Sequence, residues 1–150
     1  MLRKTLFWML IFSAVVYSQT TSYIEVLKSD VKTQRRALIT GAMGLTEEQA
    51  QKFWPVYKEY EAEFDKLMDR ELELIKKYAE NYADLSDEMA DVLIKQAMDL
   101  DNEQLDLDKK YYAKLKKEIG AKLAAKFRMV DKRINLMINL QVAASVPVIE

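Results

Sequence analysis

Apolar residues recur along this chain at helical intervals, with no run of the strict alternation that marks a half-buried strand. Phe53, Tyr57, Tyr60, Phe64, Leu67, Glu71, Leu74 and Tyr78 fall alternately four and three residues apart. They form a heptad stripe in which Glu71 is the single charged interruption. Leu93, Ala97, Leu100, Gln104, Leu107 and Tyr111 repeat the spacing, and so do Leu123, Phe127, Val130, Ile134, Met137 and Gln141. An earlier, looser set, Ile24, Leu27, Val31, Leu38 and Ala42, shares one helical face. The pattern predicts an all-α fold of four amphipathic helices.

Local signals place the boundaries. Ser22 is a candidate cap for the first helix, and Gly41 and Gly44 bracket its end. Thr46 and Gln49 stand in capping-box register, with Leu45 before them as a staple toward Ala50 and with Glu47 and Glu48 on the positive end of the helix dipole. Pro55 lies inside the helix that follows. It removes the bond to the Gln51 carbonyl and predicts a kink near residues 51–55, with Phe53, Trp54 and Tyr57 packed around it. The alternative is a helix that begins at Pro55. The segment 81–85 is the next break, Ser86 can cap a third helix, and Gly120 marks its end. Pro147 closes the fourth. The second and third helices each exceed 30 residues, or about 45 Å at ~1.5 Å per residue. An extended hairpin or bundle of that length is expected to leave an apolar face for a partner.

The first 18 residues read differently. Arg3 and Lys4 precede an apolar run from Leu6 to Tyr17, and Ser18 closes it, which is the pattern of a cleaved secretory signal peptide. The run is short of the roughly 20 residues a membrane span needs. A single domain over 19–150 and export to the periplasm are the expectations. The chain has no cysteine and no histidine. Stability therefore rests on packing, and zinc, copper and Glu-x-x-His di-iron sites lack their ligands.

Charge is unevenly spread. Residues 47–108 hold 19 acids and 7 bases, whereas residues 109–133 hold 10 bases and 2 acids. The two parts are expected to pair within the chain or with a second copy, or to stand as solvated faces. Asp99, Asp101, Glu103, Asp106 and Asp108 cluster on the third helix, mid-helix rather than in a calcium-loop spacing. No phosphate-binding glycine loop and no nucleophile beside a base is present. The reading is of no enzyme, no metal, no cofactor, no small-molecule substrate and no nucleic-acid partner.

Leu45-Thr46-Glu47-Glu48-Gln49 matches the LTxxQ motif and resembles the Spy/CpxP-like family of bacterial periplasmic stress proteins. The placement, an export signal and a first helix before the motif, is also similar. A second motif survives only in part, as Leu85-Ser86-Asp87-Glu88-Met89 or around Ile119 to Leu123. The run Phe53-Trp54-Pro55-Val56-Tyr57 looks like a branch described as exported sensors of extracytoplasmic sigma factors. The resemblance implies an ATP-independent, chaperone-like homodimer that holds unfolded or membrane-associated envelope proteins. Its alternative is a regulatory module for a membrane stress sensor or anti-sigma factor. It implies a partner-binding face at Lys126, Phe127, Arg128, Val130, Arg133, Ile134 and Met137. Leu45, Thr46 and Gln49 are fully accounted for as a helix start.

Overall fold

The computed structural model describes residues 33–145, and all regular structure among them is helical. Helix α1 covers residues 33–43, α2 Glu47–Asn81, α3 Asp87–Ile119 and α4 Ala121–Ser145, with a 3-10 turn at Tyr82–Asp84 between α2 and α3. The expected all-α class is borne out. The expected signal peptide, the Ser22 cap, the first three members of the earliest stripe and Pro147 lie outside the described residues. The chain divides into two units, Met1–Leu38 and Ile39–Glu150. The first contributes only helical residues 33–38 to the description, and all that follows concerns the second.

The start of α2 is built as its sequence dictates. Thr46 has extended backbone, at φ −67° and ψ 165°. Its Oγ1 accepts a hydrogen bond from the Gln49 amide at 3.3 Å, and the Thr46 amide donates to Gln49 Oε1 at 3.1 Å. The box supplies acceptors for amide groups that a helix start otherwise leaves without partners. Gly44, at φ 56°, makes the turn that separates α1 from α2, a conformation that costs other residues their Cβ clearance. Pro55 does not divide α2, which runs unbroken from Glu47 and does not begin at the proline. Pro55 and Gln51 are both exposed, so the carbonyl that loses its helical partner has access to water.

Helices α2 and α3 form an antiparallel pair. The Asn81 side chain donates to the Lys77 carbonyl at 2.7 Å as α2 ends, and Ser86 Oγ accepts from the Met89 amide at 3.2 Å as α3 begins. Acid meets base along the seam. Arg70 grips Glu103 through two nitrogens at 2.5 and 2.7 Å, Lys110 reaches Glu63 and Lys114 reaches Glu59, each at 2.7 Å. Part of the basic segment thus pairs with the chain's own acidic helix. These pairs are roughly half exposed, so they set register more than they add stability.

Gly120, at φ 84° and ψ 160°, ends α3 and turns the chain straight back into α4. The core forms where α4 lies over the pair. Phe53, Tyr57, Tyr60 and Phe64 of α2, Leu107, Tyr111 and Leu115 of α3, and Ala124, Phe127 and Ile134 of α4 are buried together with Ile39 and Met43 of α1. Phe127 is the hub, with its ring centroid 5.4 Å from Phe53, 5.9 Å from Tyr57 and 5.5 Å from Tyr60, in edge-to-face contacts. Beyond Phe64 no residue of α2 is fully buried. At 25 residues α4 is about 38 Å long against about 52 Å for α2, and it closes only one end of the pair. Replacing Thr46 with Ala removes the cap from an otherwise intact helix. The expected cost is ~1 kcal/mol in urea unfolding, with helical circular dichroism unchanged.

Candidate functional site

Where the aromatic core stops, a set of buried polar side chains begins. Asp131 is fully buried and Asp108 nearly so. Tyr60 donates its hydroxyl to Asp131 Oδ2 at 2.8 Å, and Asn135 approaches the same oxygen at 3.4 Å. Arg128 forms an ion pair with Asp108, which also accepts from Gln104 at 2.9 Å. The second guanidinium nitrogen, Nη1, is buried, lacks a hydrogen bond and stands 3.7 Å from Asp131. One arginine therefore links two buried carboxylates, tying α4 to α3 directly and to α2 through Tyr60. Charges withdrawn from water are tolerable only when paired in this way.

A groove of about 330 Å³ opens beside this network, between residues 64–75 of α2, residues 97–108 of α3 and residues 128–139 of α4. Its apolar lining includes Leu67, Leu74 and Ile75 from α2, Leu100 from α3 and Leu136 from α4. Glu71, the residue that interrupts the α2 stripe, lies on the groove with Asp101. Burial, and secondarily the negative charge of Asp101, push the Glu71 carboxyl above its ordinary value. Ile94, Met98 and Leu105 on α3, and Met129, Met137 and Leu140 on α4, add exposed apolar surface outside it.

The residues singled out by sequence fall into three groups. Thr46 and Gln49 form the cap, and Leu45 packs half-buried on the core. Phe53 and Tyr57 are core, Trp54 packs against them with its ring 5.0 Å from Phe53, and Pro55 is exposed. The expected partner-binding face does not stand open as one surface. Phe127 and Ile134 are buried, Val130 packs on the core, and Arg128 is engaged with Asp108. Lys126 donates to the Met43 carbonyl at 2.8 Å, a cation at the C-terminal end of α1. Only Arg133 and Met137 project clear.

The reason is a small turn of α4. Its buried side runs through Ala124, Phe127, Asp131, Ile134 and Ile138 rather than through Leu123, Val130 and Met137. Sequence reasoning missed Asp131 because a carboxylate signals a solvated position, and only the i and i+4 relation to Phe127 hinted otherwise.

The acidic cluster of α3 is dispersed. Glu103 pairs with Arg70, Asp106 with Lys109 and Asp108 with Arg128, while Asp101 lies on the groove. Among the described residues no group of three or more His, Cys, Asp or Glu side chains could hold a metal ion, and no helix is long and apolar enough to cross a membrane.

Replacing Arg128 with Met leaves Asp108 and Asp131 buried without their cation. The expected loss is ~3 kcal/mol in urea unfolding, and adding Asp108→Leu to that variant restores part of it. Comparison of the chain with family models, with curated proteins and with solved structures finds no match.

Proposed function

We propose that this chain is an exported, non-enzymatic binding protein that holds apolar segments of unfolded or membrane-associated envelope proteins without ATP. The observation that carries the reading is the uncovered groove along the helical pair. Leu67, Leu74, Ile75, Leu100 and Leu136 line a groove that no element of the described chain covers. An apolar surface of this kind, with a polar rim, marks an interaction site. Its geometry is that of a helix bundle lacking one member, suited to a segment that lies between two helices. Met68, on the groove, adds a side chain that adapts to varied partners. The resemblance of Leu45 to Gln49 to the LTxxQ family points toward the same class of activity and toward an envelope location. A homodimer fits the second apolar surface, on the outer side of α4, where Met129, Met137 and Leu140 are each more than half exposed.

The test is an aggregation assay with two unrelated unfolding clients, followed by light scattering without ATP. The mature chain is expected to suppress both at a near-stoichiometric ratio. A Leu100→Lys, Leu136→Lys variant is expected to lose suppression while keeping its melting transition, since neither side chain is fully buried. Absence of suppression for both clients overturns the reading. In that case binding to one membrane sensor or anti-sigma partner alone would favour the regulatory module.

A further inference from the structure

The groove carries information about which segments it accepts. Its apolar lining is interrupted by three carboxylates: Asp108 is paired with Arg128, whereas Glu71 from α2 and Asp101 from α3 lie close enough that the charge of one acts on the other. Neither forms an ion pair with a described cation, in contrast to Glu59, Glu63 and Glu103 along the same seam. Of the cations on the groove, Arg128 is bound to Asp108 and Lys132 is exposed on the α4 wall. Glu71 also occupies a heptad position at which an apolar side chain would pack. A half-buried carboxylate facing a second one costs stability and gains nothing from the chain itself.

We propose that the groove binds a basic amphipathic helical segment of another protein, its apolar stripe on Leu67, Leu74, Ile75 and Leu100 and a lysine or arginine between Glu71 and Asp101. The floor is a furrow between two packed helices, which complements the side-chain ridge of a third. The missing cation is supplied by the occupant. The same carboxylates repel an acidic segment or an anionic lipid headgroup, since like charges brought together at an interface are unfavourable. The proposal rests on the holding function above and adds selectivity by charge to it.

Three fluorescein-labelled peptides test it. They share one leucine stripe and carry Lys, Gln or Glu at the single position facing the carboxylates, and binding to the mature chain is followed by anisotropy at low and moderate salt. The Lys peptide is expected to bind about tenfold more tightly than the Glu peptide, with the ratio shrinking as salt rises. In Glu71→Gln, Asp101→Asn the ratio falls to near one. In Asp106→Asn, Glu118→Gln, an equal change of charge at exposed positions of α3 outside the groove, it persists. Circular dichroism verifies that each variant is folded. Equal binding of the three peptides, or a preference that survives loss of Glu71 and Asp101, overturns the proposal. Loss of dimer mass in the Glu71→Gln, Asp101→Asn variant, read by light scattering, would show a second copy as the occupant and also overturn it. If unfolded clients are still held while the peptides show no preference, the charge selectivity falls alone. If neither clients nor peptides bind, the holding function falls with it.

Discussion

The described structure depends on how far α4 seals the pair formed by the two long helices. Two helices of 35 and 33 residues are joined by a short turn, and the helix that returns over them has 25. Gly120 makes the return immediate, since its left-handed backbone reverses the chain with no connecting loop. The last helix must therefore lie over the end of the pair where it begins. Burial follows. Four aromatic residues of α2 from Phe53 to Phe64 are sealed, and the same stripe from Leu67 onward is only half covered. The groove lies beside this half-covered stretch, with residues 128–139 of α4 as one of its walls.

Given that arrangement, α4 has to be held at one rotation. Phe127 inserts among three aromatic rings, which fixes its depth. Arg128 and Asp131 fix its rotation, because turning the helix would pull Asp131 off Tyr60 and leave a buried carboxylate without a partner. Apolar packing alone would not choose between the two sides of α4, which carries Met129, Met137 and Leu140 on its outer side as well. The buried ion pairs supply the missing specificity. Glu71 is the opposite case. It weakens the stripe it interrupts, and residues that lower stability without a partner in their own chain are often retained for binding.

Much of this was legible in the sequence. The capping box at Thr46 and Gln49, the Ser86 cap and the breaks at residues 81–85 and Gly120 are local signals, and local signals do not depend on what packs elsewhere. The α2 and α3 stripes were read correctly because both keep the four-and-three spacing over many turns between polar flanks. The α4 side was misjudged for two physical reasons. Apolar residues are spread around this helix and interleaved with charged ones, so periodicity selects its buried side weakly. Its true buried side also includes a carboxylate, which pattern reasoning assigns to water. Pro55 lies inside a continuous α2 and does not begin it, since the cost of a lost hydrogen bond is small where the freed carbonyl faces solvent. The groove itself had no sequence signature beyond Glu71, because it depends on how three helices pack rather than on any local pattern.

The central claim is that the pair of long helices is closed at one end and open at the other. Amide hydrogen exchange tests it most directly, since protection tracks the local cost of opening. The account predicts slow exchange over residues 53–64, 107–115 and 124–134, and markedly faster exchange over residues 67–81 and 87–100. Uniformly slow exchange along both long helices would contradict it.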